Sequence, residues 1–124
     1  QTQAPEKIAW KAFDKVEIFN LIGAGKVVFV DVTADWCLTC KVNKALVIDR
    51  GRVGHHLGVG NVVAMRADWT RPNPEISAYL QRFGRFGIPF NVVYGPGRPS
   101  GIALPELLTE ARVMDAFTRA GLKK

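Results

Sequence analysis

The sequence predicts an α/β fold, a central mixed β-sheet flanked by helices, on three observations. Apolar runs rich in β-branched residues recur at 27–32 and 62–67, and a third strand, entered through a proline, reads at 87–94. Between such runs, apolar residues fall at helical spacing, most clearly Ile76, Tyr79, Leu80 and Phe83 at i, i+3, i+4 and i+7. Glycines or prolines punctuate the changes of period. The predicted order is β-α-β-α-β-α-β-β-α, a layered arrangement.

Each element follows from local chemistry. Residues 1–6 offer little to bury and read as a flexible lead-in. Ile8 to Phe13 alternates loosely, as a short edge strand would, and Val16, Phe19 and Ile22 then stand at helical spacing before Gly23 and Gly25 stop the helix. Lys26 to Thr33 is the expected central strand. A helix should run from Cys37 to about Val47, with a break at Asp49-Arg50-Gly51 and a short helical segment from Arg52 to Leu57. Val62 to Ala67 is the next strand. Asn73-Pro74-Glu75 is a helix start, with an N-cap, a proline at the first position and an acid in the first turn. Gly84 ends that helix. Gly95-Pro96-Gly97 turns the third strand back toward a short one at Ile102 to Leu104, and Thr109 caps a last helix with Val113, Met114 and Phe117 on its buried face.

The chemistry concentrates where the central strand ends. Cys37 and Cys40 are the chain's two cysteines, three apart. If a helix begins at about Cys37, both lie on one face roughly 5 to 6 Å apart, and a disulfide fits with little adjustment. The first cysteine then meets unpaired backbone N–H groups and the positive end of the helix dipole, which favour thiolate. Cys37 is therefore the candidate nucleophile, on an exposed corner, and Cys40 the resolving thiol. Three blander readings compete: a structural disulfide, half of a zinc site, or two unrelated thiols. A two-residue loop constrains the unfolded chain little, and zinc would need four ligands, with only His55 and His56 as further soft donors. Redox chemistry is the stronger reading, and no metal or cofactor is expected. Asp31, six residues before Cys37 in an otherwise apolar strand, is expected to be buried with a raised pKa.

Asp31, Ala34-Asp35-Trp36-Cys37 and Cys37-x-x-Cys40-Lys41 resemble thioredoxin-family active sites. More narrowly, Ala34 to Asn43, Ala67-Asp68-Trp69-Thr70 and Gly87-Ile88-Pro89 look like the C-terminal periplasmic domain of DsbD and ScsB, transmembrane thiol reductases of bacteria. The resemblance covers roughly Lys26 to Ala120. It implies a thioredoxin-like fold, a role for Asp31 in moving a proton from Cys40, and a cis Ile88-Pro89 bond opposite the cysteines. Pro89 lacks an N–H, so the backbone of Ile88 is left to pair with an incoming peptide. Trp36 should pack beside the cysteines and shape the substrate surface, while Asp35 should be solvated. Lys44 departs from the acid often found there in DsbD-like domains, and a cation one turn after Cys40 would favour thiolate rather than oppose it.

Composition bounds the rest. At 124 residues and 48% hydrophobic the chain is expected to form a single domain, 1–124. No apolar run approaches the roughly 18 residues of a membrane span, and no signal peptide is evident. The chain starts at Gln1 without a methionine, so the resemblance implies a piece whose membrane-spanning part lies elsewhere in a parent protein. The net charge of +6 comes from scattered basic residues, which reads as a solvated surface rather than a nucleic-acid site.

The resemblance therefore implies a periplasmic dithiol reductase domain, monomeric when isolated, fed by a membrane-embedded cysteine pair of its parent and passing electrons to a periplasmic thiol protein. A free-standing thioredoxin-like oxidase or isomerase, and a non-catalytic thioredoxin-like binding module, are the alternatives. The sequence assigns no role to His55 and His56.

Overall fold

Five strands form one sheet in the order β1-β3-β2-β4-β5, with Val27–Thr33 (β2) at its centre. In the computed structural model the described residues are 7–123, so the lead-in expected at 1–6 lies outside them. Lys11–Ala12 (β1) pairs in parallel with Val62–Asp68 (β3), and β3 in parallel with β2. On the other side of β2, Phe90–Gly95 (β4) runs antiparallel, and Arg98–Ala103 (β5) runs antiparallel to β4. The sheet is mixed, as expected.

Alternation along β2 divides the interior in two. Val28, Val30 and Val32 pack with Met65, Phe90 and Val92 against Ile18, Ile76, Tyr79 and Leu80 of Lys15–Gly23 (α1) and Pro74–Arg82 (α4). Val27 and Phe29 face the opposite way, onto Val53 and Leu57 of Gly51–Val59 (α3) and Val113 and Phe117 of Glu110–Ala120 (α5). Asp31 therefore belongs to the second face, where the strand runs out toward the cysteines.

The cap expectations hold. Asn73 Oδ1 accepts from Glu75 and Ile76 N–H with Pro74 in the first turn, and Thr109 Oγ1 accepts from Arg112 N–H. Four details differ. The inward residue of α1 is Ile18, with Leu21 and Ile22 packed partly beside it, whereas Val16 and Phe19 of the predicted stripe face solvent. The helix after Cys37 is α-helical over Leu38–Asn43 (α2), then π-helical over Lys44–Ile48, where Asp49 N–H reaches Lys44 C=O. β4 begins at Phe90, since Pro89 has no N–H to join the ladder. β5 starts at Arg98, an exposed edge whose polar sequence carries no alternation signal.

Asn43 pins α2 to the segment before α5. It is buried, its Nδ2 donates to Glu106 C=O (2.8 Å), and its Oδ1 accepts from Leu108 N–H (3.0 Å). Asn43→Ala leaves both backbone groups without their partner, at about 1 to 3 kcal/mol for each group that water cannot reach. We expect a loss of about 3 kcal/mol in urea unfolding at pH 7; a loss below about 0.5 kcal/mol would mean that solvent satisfies both groups.

Candidate active site

β2 ends at Thr33 and the chain turns through Ala34 into α2, which sets Cys37 at the N-cap. The Cys37 backbone is extended (φ −94°, ψ 102°), its N–H donates to Ala34 C=O (3.1 Å), and its Sγ accepts from Cys40 N–H (3.1 Å). Cys37 and Cys40 form a disulfide with Cα atoms 5.3 Å apart, within the range that i, i+3 spacing on a helix supplies. The expectation of an exposed Cys37 is not met. Cys37 is 6% exposed and Cys40 5%, because Ala34 and Ile88 pack on the pair. What distinguishes the two sulfurs is the N-cap hydrogen bond, which an anionic sulfur at Cys37 would strengthen.

A second loop holds the approach to the cysteines. Trp69 N–H donates to Thr33 C=O (2.7 Å), continuing the β2–β3 pairing, and Thr70 then reaches across: its Oγ1 accepts from Asp35 N–H (2.9 Å) and its C=O from Trp36 Nε1 (3.1 Å). Thr70 in turn donates its N–H and hydroxyl to Asp68 Oδ1, which holds the Asp68 carboxyl below the usual carboxylate range. Trp36 is anchored by its ring nitrogen while its indole stays largely exposed, and Asp35 is exposed as expected. On the far side, Ile88 packs against the cysteine pair, Pro89 is buried and the Ile88-Pro89 bond is cis.

Three polar side chains, one from each central strand, form a row whose Asp31 and Arg66 line one crevice with Cys40. Arg66 (β3), Asp31 (β2) and Asn91 (β4) are register partners. Asn91 Nδ2 donates to Asp31 Oδ1 (2.8 Å), and Arg66 Nε and Nη2 donate to Asp31 Oδ2 (3.4 and 3.3 Å). Asp31 is buried as expected, and burial pushes its pKa up while Arg66 and Asn91 hold it down, the net direction being upward. Arg66 in turn lies 3.7 Å over the Trp10 ring. Sequence reasoning missed Arg66 and Asn91, although a lone Arg in the apolar run 62–67 mirrors Asp31 in 27–32.

A crevice of about 330 Å³ opens beside this row, lined by Asp31, Cys40, Lys41, Lys44, Arg66 and Asp68 among others. Solvent thus approaches on the Cys40 side. Lys44 is ion-paired with Asp49, so its charge is shared rather than directed wholly at Cys40. Lys41 Nζ donates to Asp35 C=O. His55 and His56 sit on α3, where His56 shares a hydrogen bond with Asn61 and meets the Phe117 ring edge to face. Among the described residues no three His, Cys, Asp or Glu side chains converge on a possible metal position.

Fold and site together define a class: a mixed α/β sheet that delivers a Cys-x-x-Cys disulfide to a helix N-terminus, across from a cis proline. Comparison with known proteins agrees. The family described as Thioredoxin-like matches residues 20–96, more than half of the chain, and the chain belongs to that family. It is 36% identical over 74 residues to thiol:disulfide interchange protein DsbD 1 of Pseudomonas aeruginosa, and 34% identical over 70 residues to DsbD of Ralstonia nicotianae. Those matches cover 60% and 56% of this chain but only 12% and 11% of the relatives, which are far longer. Among solved structures, the C-terminal domain of Neisseria meningitidis DsbD in its reduced form superposes with a TM-score of 0.66 at 23% identity, covering 89% of this chain and 99% of that one. A thioredoxin from Halobacterium salinarum superposes at 0.64 with 18% identity, each chain fully covered. The thioredoxin-like fold expected from the sequence is the fold of this chain.

Proposed function

We propose that this chain is a thiol:disulfide oxidoreductase domain working as a dithiol reductase. In this reading Cys37 attacks a partner disulfide, Cys40 resolves the mixed disulfide, and Asp31 takes the Cys40 proton. The observation that carries it is the Cys37–Cys40 disulfide at the N-cap, with one sulfur accepting a backbone N–H and the other on the crevice shared with a buried carboxyl. The likeness to DsbD proteins supports the direction of electron flow: from a membrane-embedded cysteine pair of a parent protein, through this domain, to another periplasmic thiol protein. No helix among the described residues is long and apolar enough to cross a membrane, so the membrane-embedded donor would lie outside them. Trp36 and Leu38, on either side of Cys37 in the chain, offer exposed apolar area, and Ile88 and Pro89 supply a backbone edge for an extended segment of the partner.

Two measurements on this chain test the reading. The reduced protein should accelerate reduction of insulin disulfides by dithiothreitol. Equilibration against glutathione should place its couple on the reducing side, toward thioredoxin at about −270 mV rather than DsbA at about −120 mV. A couple near the DsbA end would turn the domain into an oxidase; no catalysis at all would leave a binding module.

A further inference from the structure

The helical segment that follows Cys37 leaves an apolar face without a partner. Over residues 38–48 the inward side chains are Cys40, Asn43, Val47 and Ile48, while Leu38 (78% exposed), Val42 (47%) and Leu46 (58%) point to solvent with Ala45 exposed beside them. Leu38 and Val42 are four apart, and a second α-helical step of four would set Leu46 about 80° around the axis from Leu38. Over Lys44–Ile48 the hydrogen bonding changes to i→i+5, with Asp49 N–H on Lys44 C=O. That wider turn advances each residue by a smaller angle and so brings Leu46 back toward the line of Val42. The result is an apolar ridge about 10 Å long. Its segment, 38–48, contains no acid, and Lys41 and Lys44 run along the flank that borders the crevice. We propose that this ridge docks on the surface of an anionic lipid bilayer, with the aliphatic side chains entering the headgroup boundary and the lysines meeting lipid phosphates.

This rests on the exchange reading above, in which the electron donor is a cysteine pair embedded in a membrane, so that the domain meets a bilayer surface each time it is reduced. Three properties of the ridge favour lipid over a protein partner. It is a convex helix face, which a deformable surface fits without a preformed groove. Its area is small: three aliphatic side chains and an alanine offer on the order of a few hundred Å², against about 800 Å² on each side of a stable protein pair. Its charge is of one sign. Lys44 shares its charge with Asp49, while Lys41 keeps its own because its Nζ donates to a backbone carbonyl, and the exposed Arg50 follows. The nearest acids in the chain, Asp35 and Asp49, lie beyond the two ends of the segment. Leucine and valine with lysines alongside is the pattern of helices that lie in the membrane interface. The ridge starts at Leu38, next to Cys37, so docking brings the cysteine end of the helix to headgroup level. A contact of this size is weak and reversible, which lets the domain leave the bilayer for its acceptor.

The test is co-sedimentation of the chain with vesicles of equal parts phosphatidylglycerol and phosphatidylcholine at low ionic strength. Partition onto these vesicles should exceed that onto pure phosphatidylcholine by about tenfold or more. Val42→Gln with Leu46→Gln leaves the charge unaltered and should lower the partition by about fivefold or more. Lys41→Gln should lower it by about fivefold, the effect of one cation at an anionic surface. Val16→Gln with Phe19→Gln removes a comparable exposed pair from α1 and should leave it within about twofold. No binding to the anionic vesicles overturns the proposal. So does a partition that the Val42 and Leu46 changes leave in place, which would be the general attraction of a chain of charge +6; so does an equal loss from the α1 pair. If the double variant does not fold, Leu46→Gln alone carries the test, with a loss of about twofold expected and an unchanged partition overturning it. Self-association that the Val42 and Leu46 changes abolish would put a second copy on the ridge and overturn the lipid assignment. The insulin assay contains no lipid, so it separates the two readings: catalysis without vesicle binding overturns the docking alone, and vesicle binding without catalysis overturns the exchange reading alone.

Discussion

Cys40→Ala should convert the domain into a trap: it attacks a partner disulfide, remains joined to it through Cys37, and shows no turnover above the uncatalysed rate. The physics lies in the N-cap. Cys37 Sγ already accepts the Cys40 N–H in the disulfide, and after reduction that N–H and the helix dipole favour thiolate on the same sulfur. With Cys40 absent, nothing within the domain releases the partner. Cys37→Ala should trap little and be equally inactive, since Cys40 lacks the cap position. Non-reducing gels and mass spectrometry of both variants with an oxidised partner read this directly. Because the two sulfurs are equally buried, the order of alkylation in the reduced protein should follow thiolate character, with Cys37 first. Trapping preferentially through Cys40 would reverse the assignment.

Asp31→Asn should slow exchange by about 100-fold near neutral pH, the lower end of what a positioned proton acceptor contributes, and yet make the protein more stable there. The amide keeps the shape and can still meet Asn91 and Arg66, but it cannot take the Cys40 proton. Stability moves the other way because burial raises the Asp31 pKa in the folded protein above its ordinary value of 3.8. The folded state therefore binds this proton more tightly than the unfolded state. Its contribution is fully present below about pH 3.8 and is lost as pH rises through the folded value. The neutral Asn loses nothing over that range. Urea midpoints of the two proteins should coincide near pH 3 and diverge above it in favour of the variant. Arg66, a quarter exposed and stacked on Trp10, can take water in place of the lost charge. An unchanged exchange rate and pH profile would leave Asp31 a structural role only; a variant less stable than the parent at pH 7 would mean that the pair with Arg66 outweighs the desolvation.

What the sequence made legible was local. Cys37 and Cys40 carry their geometry in a three-residue spacing, Ile88-Pro89 is a dipeptide, Asn73-Pro74-Glu75 and Thr109 announce their caps within one turn, and the strand cores are runs of apolar residues. Asp31 stood out as a charge among valines. Its partners did not, because Arg66 and Asn91 are 35 and 60 residues away and meet it only through strand register. Thr70 and Asn43 fall in motifs that carried the resemblance, but their roles were hidden for the same reason: each is joined by hydrogen bonds to groups 34 to 65 positions away. The α1 stripe misled because a nine-residue helix with apolar residues at 16, 18, 19, 21 and 22 supports more than one inward face. The end of β5 was read at Ile102 to Leu104, but its start at Arg98 escaped because an exposed edge strand need not alternate.

The Arg66–Asp31–Asn91 row has a further effect, on how the chain finds its fold. β2 is buried on both faces and reads as a nearly continuous run of valines, so apolar packing by itself discriminates weakly between adjacent pairings of β2 with β3 and β4. A slip of one residue turns every side chain of a strand to the opposite face. For β2 that would carry Asp31 out of reach of Arg66 and Asn91 and into the layer of Met65, Tyr79 and Phe90, where a carboxylate has nothing to pair with. The valines on either side would hardly register the change. The three side chains of the row thus act as a key that only the native pairing fits, and a misaligned sheet is penalised at its central strand.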